Sequence, residues 1–144
     1  MQSDKPILIL LVDDEPPVID ILSRVGQQLF PEAQFVSVES PQETLELLAD
    51  ESRQQPQLIL LDIDLHQSVD GIELIPKISS ITKKHVPIVM FSSSVSDSNV
   101  QRSYKAGAVA YTQKPEDMEG WRNYVAILKR FWYETSRLPR KSED

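Results

Sequence analysis

Residues 58–64 read Leu-Ile-Leu-Leu-Asp-Ile-Asp, an apolar run that ends in two aspartates. Consecutive aliphatic residues are typical of a central strand in a parallel sheet, because helices cover both faces of such a strand. A second run of this kind, Ile7–Val12, is also followed by acidic residues, Asp13 and Asp14. The two segments therefore predict buried strands that carry carboxylates at their carboxyl ends.

Apolar runs and helical segments alternate along the chain. The runs with the length of strands are residues 7–12, 35–38, 58–61, 88–91 and 109–111. The segments that follow them space their apolar residues as helices do, and they begin near Pro17, Pro41, Asp70, Asp97 and Pro115. Ser40 and Glu43 match a capping box, and Gly107 is a typical end for the fourth helix. This alternation predicts an α/β fold, a doubly wound (βα)5 parallel five-stranded sheet with helices on both faces.

Length and composition favour one ordinary domain. The chain has 144 residues, 40% hydrophobic and 26% charged, with a formal net charge of −7. We expect a single domain over residues 1–144, with its core at roughly 6–135 and a tail at 136–144. An acidic surface repels phosphate backbones and anionic lipids, so neither a nucleic acid nor a membrane is an expected partner. With no cysteine and no apolar run long enough for a signal segment or a membrane span, we expect a cytoplasmic protein without disulfides.

Chemically complementary side chains follow four of the five apolar runs. Asp13 and Asp14 follow the first run, Asp62 the third, Ser92 the fourth and Lys114 the fifth. Ligands of a doubly wound sheet bind outside the carboxyl ends of its strands, so these side chains should converge. Clustered carboxylates repel one another, and a hard divalent cation such as Mg2+ offsets that repulsion through oxygen ligands. With a lysine and a hydroxyl beside them, the set suits phosphoryl transfer to a carboxylate.

Each of these side chains also has a simpler structural explanation. Asp13, Asp14 and Glu15 could cap the helix that follows, and Asp62 could be a turn residue. Ser92 begins a run of serines that is typical of a loop, and Lys114 could mark only the end of a strand. The functional interpretation is favoured by the joint pattern, in which complementary groups end four strands in order.

Over roughly residues 6–135 the sequence resembles the receiver domains of two-component response regulators. The acidic pair Asp13-Asp14, the strand-end Asp62 and Lys114 stand where that family has its motifs. The resemblance implies that Asp62 is the phosphoacceptor. It implies that Mg2+ is bound by Asp13, Asp14, Asp62 and the backbone carbonyl of Asp64, and that Lys114 binds the phosphate. It also implies a flavodoxin-like order of the strands.

The same resemblance assigns switch residues and leaves other functions open. It implies that Ser92 is a switch hydroxyl, that Tyr111 is a switch aromatic, and that the peptide between Lys114 and Pro115 is cis. An aspartate-nucleophile phosphohydrolase is one alternative, although such enzymes place the nucleophile before the acidic pair. A pseudo-receiver that binds partners without phosphorylation is another. The spacing of the two histidines does not favour a metal pair, and His66 is interpreted as a solvated loop residue.

The C-terminal segment indicates how a signal would leave the domain. Few residues follow the fifth helix, so we expect a stand-alone receiver that signals in trans or by dimerisation. Tyr124, Ile127 and Phe131 form an apolar stripe beside the one expected to pack on the sheet. A homodimer through the fourth helix, fifth strand and fifth helix would bury this stripe, unless residues 132–139 fold back over it.

The end of the fifth helix carries a further resemblance. Residues 130–139 resemble the tails of small regulators that partner bacterial phytochromes. The expected phosphodonor is therefore a sensor histidine kinase, with a phytochrome as one candidate, or a phosphotransfer protein.

Overall fold

The chain folds around one parallel sheet, and the computed structural model describes residues 5–139. The strands are β1 (Ile7–Val12), β2 (Ala33–Val38), β3 (Leu58–Leu61), β4 (Ile88–Ser92) and β5 (Ala110–Gln113). The helices are α1 (Pro16–Leu29), α2 (Pro41–Ala49), α3 (Gly71–Thr82), α4 (Asp97–Ala106) and α5 (Met118–Leu128), which continues as a π-helix (Lys129–Thr135). The sheet order is β2-β1-β3-β4-β5, which confirms the doubly wound five-stranded fold. Among the helices in residues 5–139, none is long and apolar enough to cross a bilayer.

The two acidic strand ends lie side by side at the centre of the sheet. All residues of β1 and β3 are buried, as expected for strands covered on both faces. The strands are parallel, and Val12 is paired with Leu61. Because β2 lies on the outer side of β1, the winding direction reverses between β1 and β3, and ligands of such a sheet are expected to bind at their carboxyl ends.

Two apolar clusters attach the helices to the sheet. Successive side chains of a strand point to opposite faces, so Leu10 and Val12 join the cluster that includes α2 and α3. Ile9 and Leu11 join the cluster that includes α1 and α5. Burial on both faces holds β1 rigidly, and with it the two aspartates that follow.

The helix termini confirm one capping prediction only in part. Ser40 Oγ accepts a hydrogen bond from the Glu43 N–H at 3.1 Å. The Glu43 carboxylate, however, accepts from the N–H of Glu39 at 3.4 Å rather than from that of Ser40, so the predicted box is incomplete. A complete capping box stands at α3, where Asp70 and Glu73 each accept from the other's backbone N–H. It orders the N-terminus of the helix that follows the Asp62 loop.

Gly71, the first residue of α3, lies directly against the backbone of Asp62. A Cβ at position 71 would lie 2.0 Å from the carbonyl oxygen of Asp62. The Gly71 N–H donates to the Ile63 carbonyl at 2.8 Å, which holds the helix end in place. The segment that carries Asp62 is therefore packed against bare backbone, and only glycine fits.

We expect Gly71→Ala to displace this segment and to lower the free energy of unfolding by about 2 kcal/mol, as overpacking does. Urea denaturation would measure the loss. Gly120→Ala is the matched control, because there the Cβ would meet its nearest atom at 3.0 Å and alanine favours the helix. Equal stability of the two variants would contradict the close-approach argument.

Helix α4 has few buried contacts. Ser103 is its one buried residue, and the Tyr104 side chain is 49% exposed. Gly107, with φ of 123°, ends the helix in the conformation that glycine tolerates best. The Tyr104 hydroxyl accepts from the Tyr111 N–H at 3.2 Å, on the open edge of β5. Few buried contacts make α4 the helix that moves at the least cost.

The segment after α5 folds back onto the α1 side of the molecule. Trp132, Tyr133 and Leu138 pack against the cluster shared by α1 and α5. The ring of Tyr133 lies 5.4 Å from that of Phe30, and its hydroxyl donates to the Lys5 carbonyl at 2.7 Å. Of the predicted tail, residues 140–144 lie outside the described residues.

Candidate functional site

Three carboxylates meet at the carboxyl ends of β1 and β3. Asp13 and Asp62 are buried, with 4% and 3% of their surface exposed. The Asp62 N–H donates to the Val12 carbonyl at 2.9 Å, so the sheet pairing continues up to the site. One side-chain oxygen each of Asp13, Asp14 and Asp62 lies within 4.8 Å of the others. The predicted convergence of these residues is therefore present.

Lys114 is the cation that faces this cluster. Three carboxylate oxygens surround its Nζ: Glu15 Oε1 at 2.6 Å, Asp13 Oδ2 at 2.7 Å and Asp62 Oδ2 at 3.1 Å. The Lys114 N–H donates to the Ser92 carbonyl at 2.8 Å, which fixes the base of the side chain on β4. Burial alone would lower the pKa of Lys114, but the hydrogen bonds to Asp13 and Glu15 and the nearby negative charges raise it overall. The lysine is therefore charged and positioned.

The carboxylate cluster fits a divalent cation. Burial raises the pKa of Asp62 to about 6. The positive charge of Lys114 lowers this pKa, and the negative charge of Asp13 raises it. Burial also raises the pKa of Asp13. Among the described residues, Asp14 Oδ1 has no hydrogen-bond partner although it is buried. This buried oxygen without a partner and the two further carboxylates together form the kind of oxygen ligand set that Mg2+ or Mn2+ prefers.

The predicted switch residues lie along β4 and β5. Ser92 is buried at the end of β4, and its Oγ accepts from the Ser94 N–H at 3.2 Å. Tyr111 is partly buried, and its hydroxyl donates to the Ser94 carbonyl at 2.6 Å. Both side chains therefore hold the loop between β4 and α4.

Glu15 belongs to the site although the sequence indicated only a helix cap. It occupies the N-cap position of α1, but its side chain makes no capping hydrogen bond and pairs with Lys114 instead. The capping expected of the acidic segment is limited to Asp13 Oδ1, which accepts from the Glu15 N–H at 2.8 Å. The pairing was missed because it joins residues at opposite ends of the chain.

His66 is exposed, as expected of a loop residue, but it contacts the acidic pair. Its Nδ1 lies 2.5 Å from Asp14 Oδ2, and its Nε2 lies 3.5 Å from Asp64 Oδ2. The hydrogen bond to Asp14 and the charges of Asp14 and Asp64 raise the pKa of His66. The Asp64 side chain is 74% exposed, and the metal-binding role of its backbone carbonyl stays a prediction.

The expected cis peptide between Lys114 and Pro115 is wrong for this structure. No peptide bond in residues 5–139 is cis. The trans form is intrinsically favoured before proline by about 0.5–1 kcal/mol. Lys114 reaches all three carboxylates from that form, so the ion pairs do not require the cis isomer.

The apolar stripe on α5 is narrower than expected. Ile127 and Phe131 are 62% and 49% exposed. Tyr124 turns inward instead: its ring stacks on Phe91 at 4.8 Å, and its hydroxyl lies 2.7 Å from Thr112 Oγ1. The expectation that Tyr124 lies at the centre of the exposed stripe is therefore wrong, because helical spacing could not show that its hydroxyl has a buried partner.

The doubly wound sheet, the acidic cluster and the facing lysine are the features by which the sequence resembles the receiver domains, and they define that class of protein. The family model for the response regulator receiver domain matches residues 9–126. The chain belongs to this family, and it is the receiver domain of a response regulator. The family match does not favour the phosphohydrolase or the pseudo-receiver.

Similar proteins extend over nearly the whole chain. The response regulator Rcp1 of Synechocystis sp. is 26% identical over 143 residues, which cover 96% of this chain and 97% of Rcp1. The probable methanogenesis regulatory protein FilR2 of Methanothrix harundinacea is 26% identical, with 96% and 92% covered.

Two solved structures share the fold closely. The Mn2+-bound form of Rcp1 has a TM-score of 0.82 at 26% identity, with 93% of this chain and 99% of that one covered. The phosphorylated cyanobacterial phytochrome response regulator RcpA has a TM-score of 0.84 at 27% identity, with the same coverage.

Proposed function

We propose that this domain accepts a phosphoryl group on Asp62 from the phosphohistidine of a sensor kinase or a phosphotransfer protein, in a Mg2+-dependent reaction. One observation carries the proposal: a cluster of three carboxylates, two of them buried, has a buried oxygen without a partner and a charged lysine beside it. RcpA is a phytochrome response regulator that was solved in its phosphorylated form, which supports a kinase of that kind as phosphodonor.

The metal would be held by Asp13, Asp14, Asp62 and the backbone carbonyl of Asp64. When bound, Mg2+ supplies the positive charge that offsets carboxylate repulsion and neutralises phosphoryl oxygens. The Mn2+ form of Rcp1 supports this assignment, because Mn2+ and Mg2+ share a preference for carboxylate oxygens.

The protein's own residues position the reacting groups. A carboxylate oxygen of Asp62 forms the new P–O bond while the P–N bond of the donor breaks and its electron pair stays on the imidazole. Lys114 exchanges a carboxylate partner for a phosphoryl oxygen, and Ser92 Oγ donates to another. No external substrate is turned over, so hydrolysis is limited to the domain's own phosphoryl group.

Labelling with acetyl phosphate tests the function. With Mg2+ present, intact-mass measurement should show a single added phosphoryl group, and chelation should prevent it. Borohydride reduction followed by peptide mapping should convert Asp62, and no other aspartate, to homoserine. Labelling without a divalent cation, or at another residue, would contradict the proposal. Sustained hydrolysis of phosphomonoesters would favour the phosphohydrolase instead.

Phosphorylation should be read through Ser92 and Tyr111. Drawing the Ser92 hydroxyl to a phosphoryl oxygen removes it from the Ser94 N–H, so the loop that Tyr111 holds is free to move. We expect the fluorine resonance of fluorotyrosine at position 111 to shift when beryllofluoride and Mg2+ are added. Fluorotyrosine at Tyr133, on the α1 side, is the control and should not shift. An unchanged resonance at position 111 at full occupancy would mean that another route carries the signal.

We also propose a homodimer through α4, β5 and α5, centred on Ile127 and Phe131. Two exposed apolar side chains support it, one on α5 and one on the π-helix that continues it, and truncating such an anchor typically costs about 2 kcal/mol. Phe131→Ala should therefore weaken self-association at least tenfold in sedimentation experiments, since each tenfold is about 1.4 kcal/mol. Ile81→Ala, on α3, removes part of an apolar side chain that is 37% exposed away from this surface and should leave association unchanged. A monomeric wild type, both with and without phosphorylation, would refute the dimer.

A further inference from the structure

The loop between β3 and α3 places one side chain against the acidic pair from outside. His66 has φ of 55°, a left-handed conformation that is uncommon for residues other than glycine. From there its Nδ1 reaches Asp14 Oδ2, and its N–H donates to Asp64 Oδ1 at 3.3 Å. His66 therefore links the loop after β1 to the loop after β3.

The contact places the two oxygens of Asp14 in different surroundings. Oδ2 is taken by the imidazole, whereas Oδ1 is buried and has no partner among the described residues. A carboxylate offers no proton, so the imidazole nitrogen that faces it is the donor. The imidazole is thereby engaged through Nδ1, and its Nε2 lies 3.5 Å from Asp64 Oδ2.

We propose that His66 is a positioning residue for the divalent cation: by donating to Asp14 Oδ2 it holds the carboxylate so that Oδ1 remains for the metal. The inference rests on the metal-dependent function proposed above and adds a residue to it. Without the imidazole, the Asp14 carboxylate rotates between rotamers, and metal binding has to order it.

The size of the effect follows from comparable contacts. Outer partners that orient metal ligands typically change affinity by about 10- to 100-fold when removed. His66 is an exposed partner of one ligand, so the lower end applies. We expect its removal to weaken cation binding about tenfold.

Two substitutions separate the imidazole from the backbone conformation. His66→Gly keeps the left-handed conformation available but deletes the donor. His66→Asn also tolerates that conformation, and its side-chain amide can donate to Asp14. His85→Asn, at an exposed histidine away from the site, is the control.

Binding of Mn2+ can be measured directly, by counting the free ion in electron paramagnetic resonance titrations, and Mg2+ by competition. We expect His66→Gly to bind about tenfold more weakly, His66→Asn to recover most of the affinity, and His85→Asn to match the wild type. Phosphorylation by acetyl phosphate should need more Mg2+ in His66→Gly but reach the wild-type rate at saturation.

The outcomes separate this inference from the proposed function. If the wild type binds a cation and is phosphorylated, but His66→Gly binds equally well or more tightly, the positioning role is overturned and the function stands. A loss in His66→Asn as large as in His66→Gly also overturns it. If the wild type binds no cation, both proposals fail. Thermal melts of each variant in chelator would detect a folding defect, which would appear as a lower melting temperature.

Discussion

Asp62→Asn is expected to abolish phosphorylation and to raise the stability of the metal-free domain. The amide has no nucleophilic oxygen anion, so labelling should fall to background. The stability gain follows from the pKa of Asp62, which burial raises from 3.8 to about 6. A raised carboxyl pKa means that the ionised form destabilises the folded state, and each pKa unit corresponds to about 1.4 kcal/mol.

The gain should grow as the pH rises from about 3.8 to about 6 and be complete above that range, because the unfolded chain ionises Asp62 at a lower pH than the folded domain does. Above a pH of about 6 we expect Asp62→Asn to raise the free energy of unfolding by about 1–2 kcal/mol. This gain is smaller than the pKa shift alone implies, because the amide forms imperfect hydrogen bonds with its buried neighbours. The gain should vanish below pH 3.8, where the aspartate is protonated in both the folded and the unfolded state. Urea denaturation in chelator at several pH values measures it.

Asp64→Asn is the matched control for this experiment. Its side chain is 74% exposed, and only its backbone carbonyl is expected to bind the metal. It should therefore keep both phosphorylation and near wild-type stability. Retained labelling of Asp62→Asn would remove Asp62 from the chemistry, and a stability loss would show that the buried carboxylate is not destabilising.

Lys114→Met should produce the largest loss of stability. The substitution leaves Asp13 and Asp62 buried without their cation, and breaking one partner of a buried ion pair costs about 3–5 kcal/mol. Methionine has a similar volume, so the loss reports charge rather than a cavity. Phosphorylation should also fall sharply, because the phosphoryl oxygens lose the lysine.

The metal makes this prediction specific. Mg2+ should recover part of the stability of Lys114→Met, since it can take over some of the missing charge. Arg24→Met removes a cation from an exposed ion pair with Asp20 and should cost less than about 0.5 kcal/mol. Denaturation with and without Mg2+ compares the two. A loss for Lys114→Met no larger than for Arg24→Met would mean that the carboxylates are hydrated or protonated in the folded state.

The bounds of the two central strands β1 and β3 were predictable to the residue, whereas those of the edge strands β2 and β5 were not. β1 and β3 have the predicted bounds, because each is a continuous aliphatic run closed by charges. The fifth strand was expected at 109–111 and occurs at Ala110–Gln113. Val109 is 51% exposed, and an edge strand need not keep its polar residues outside, so composition marks its ends poorly.

The same contrast holds for the site. Residues at strand ends were located by topology alone, since the carboxyl ends of parallel strands share one rim. Glu15 and His66 were not, because their contacts depend on loop conformation. The Lys114–Glu15 bond spans 99 positions, and the His66–Asp14 contact depends on a left-handed φ that no local pattern in the chain indicates.

In the unphosphorylated domain, the Glu15 carboxylate binds Lys114 in place of the phosphoryl oxygen of the proposed reaction. Glu15 Oε1 offers Lys114 an anionic oxygen at 2.6 Å, and its side chain is 54% exposed. In the proposed reaction a phosphoryl oxygen displaces that carboxylate. Lys114 thereby exchanges one anionic partner for another and keeps an anionic partner throughout. The displaced Glu15 returns to water at the first turn of α1. Phosphorylation would therefore move the negative charge of Glu15 to the surface beside the phosphorylation site, where a kinase or phosphatase that binds there would contact it.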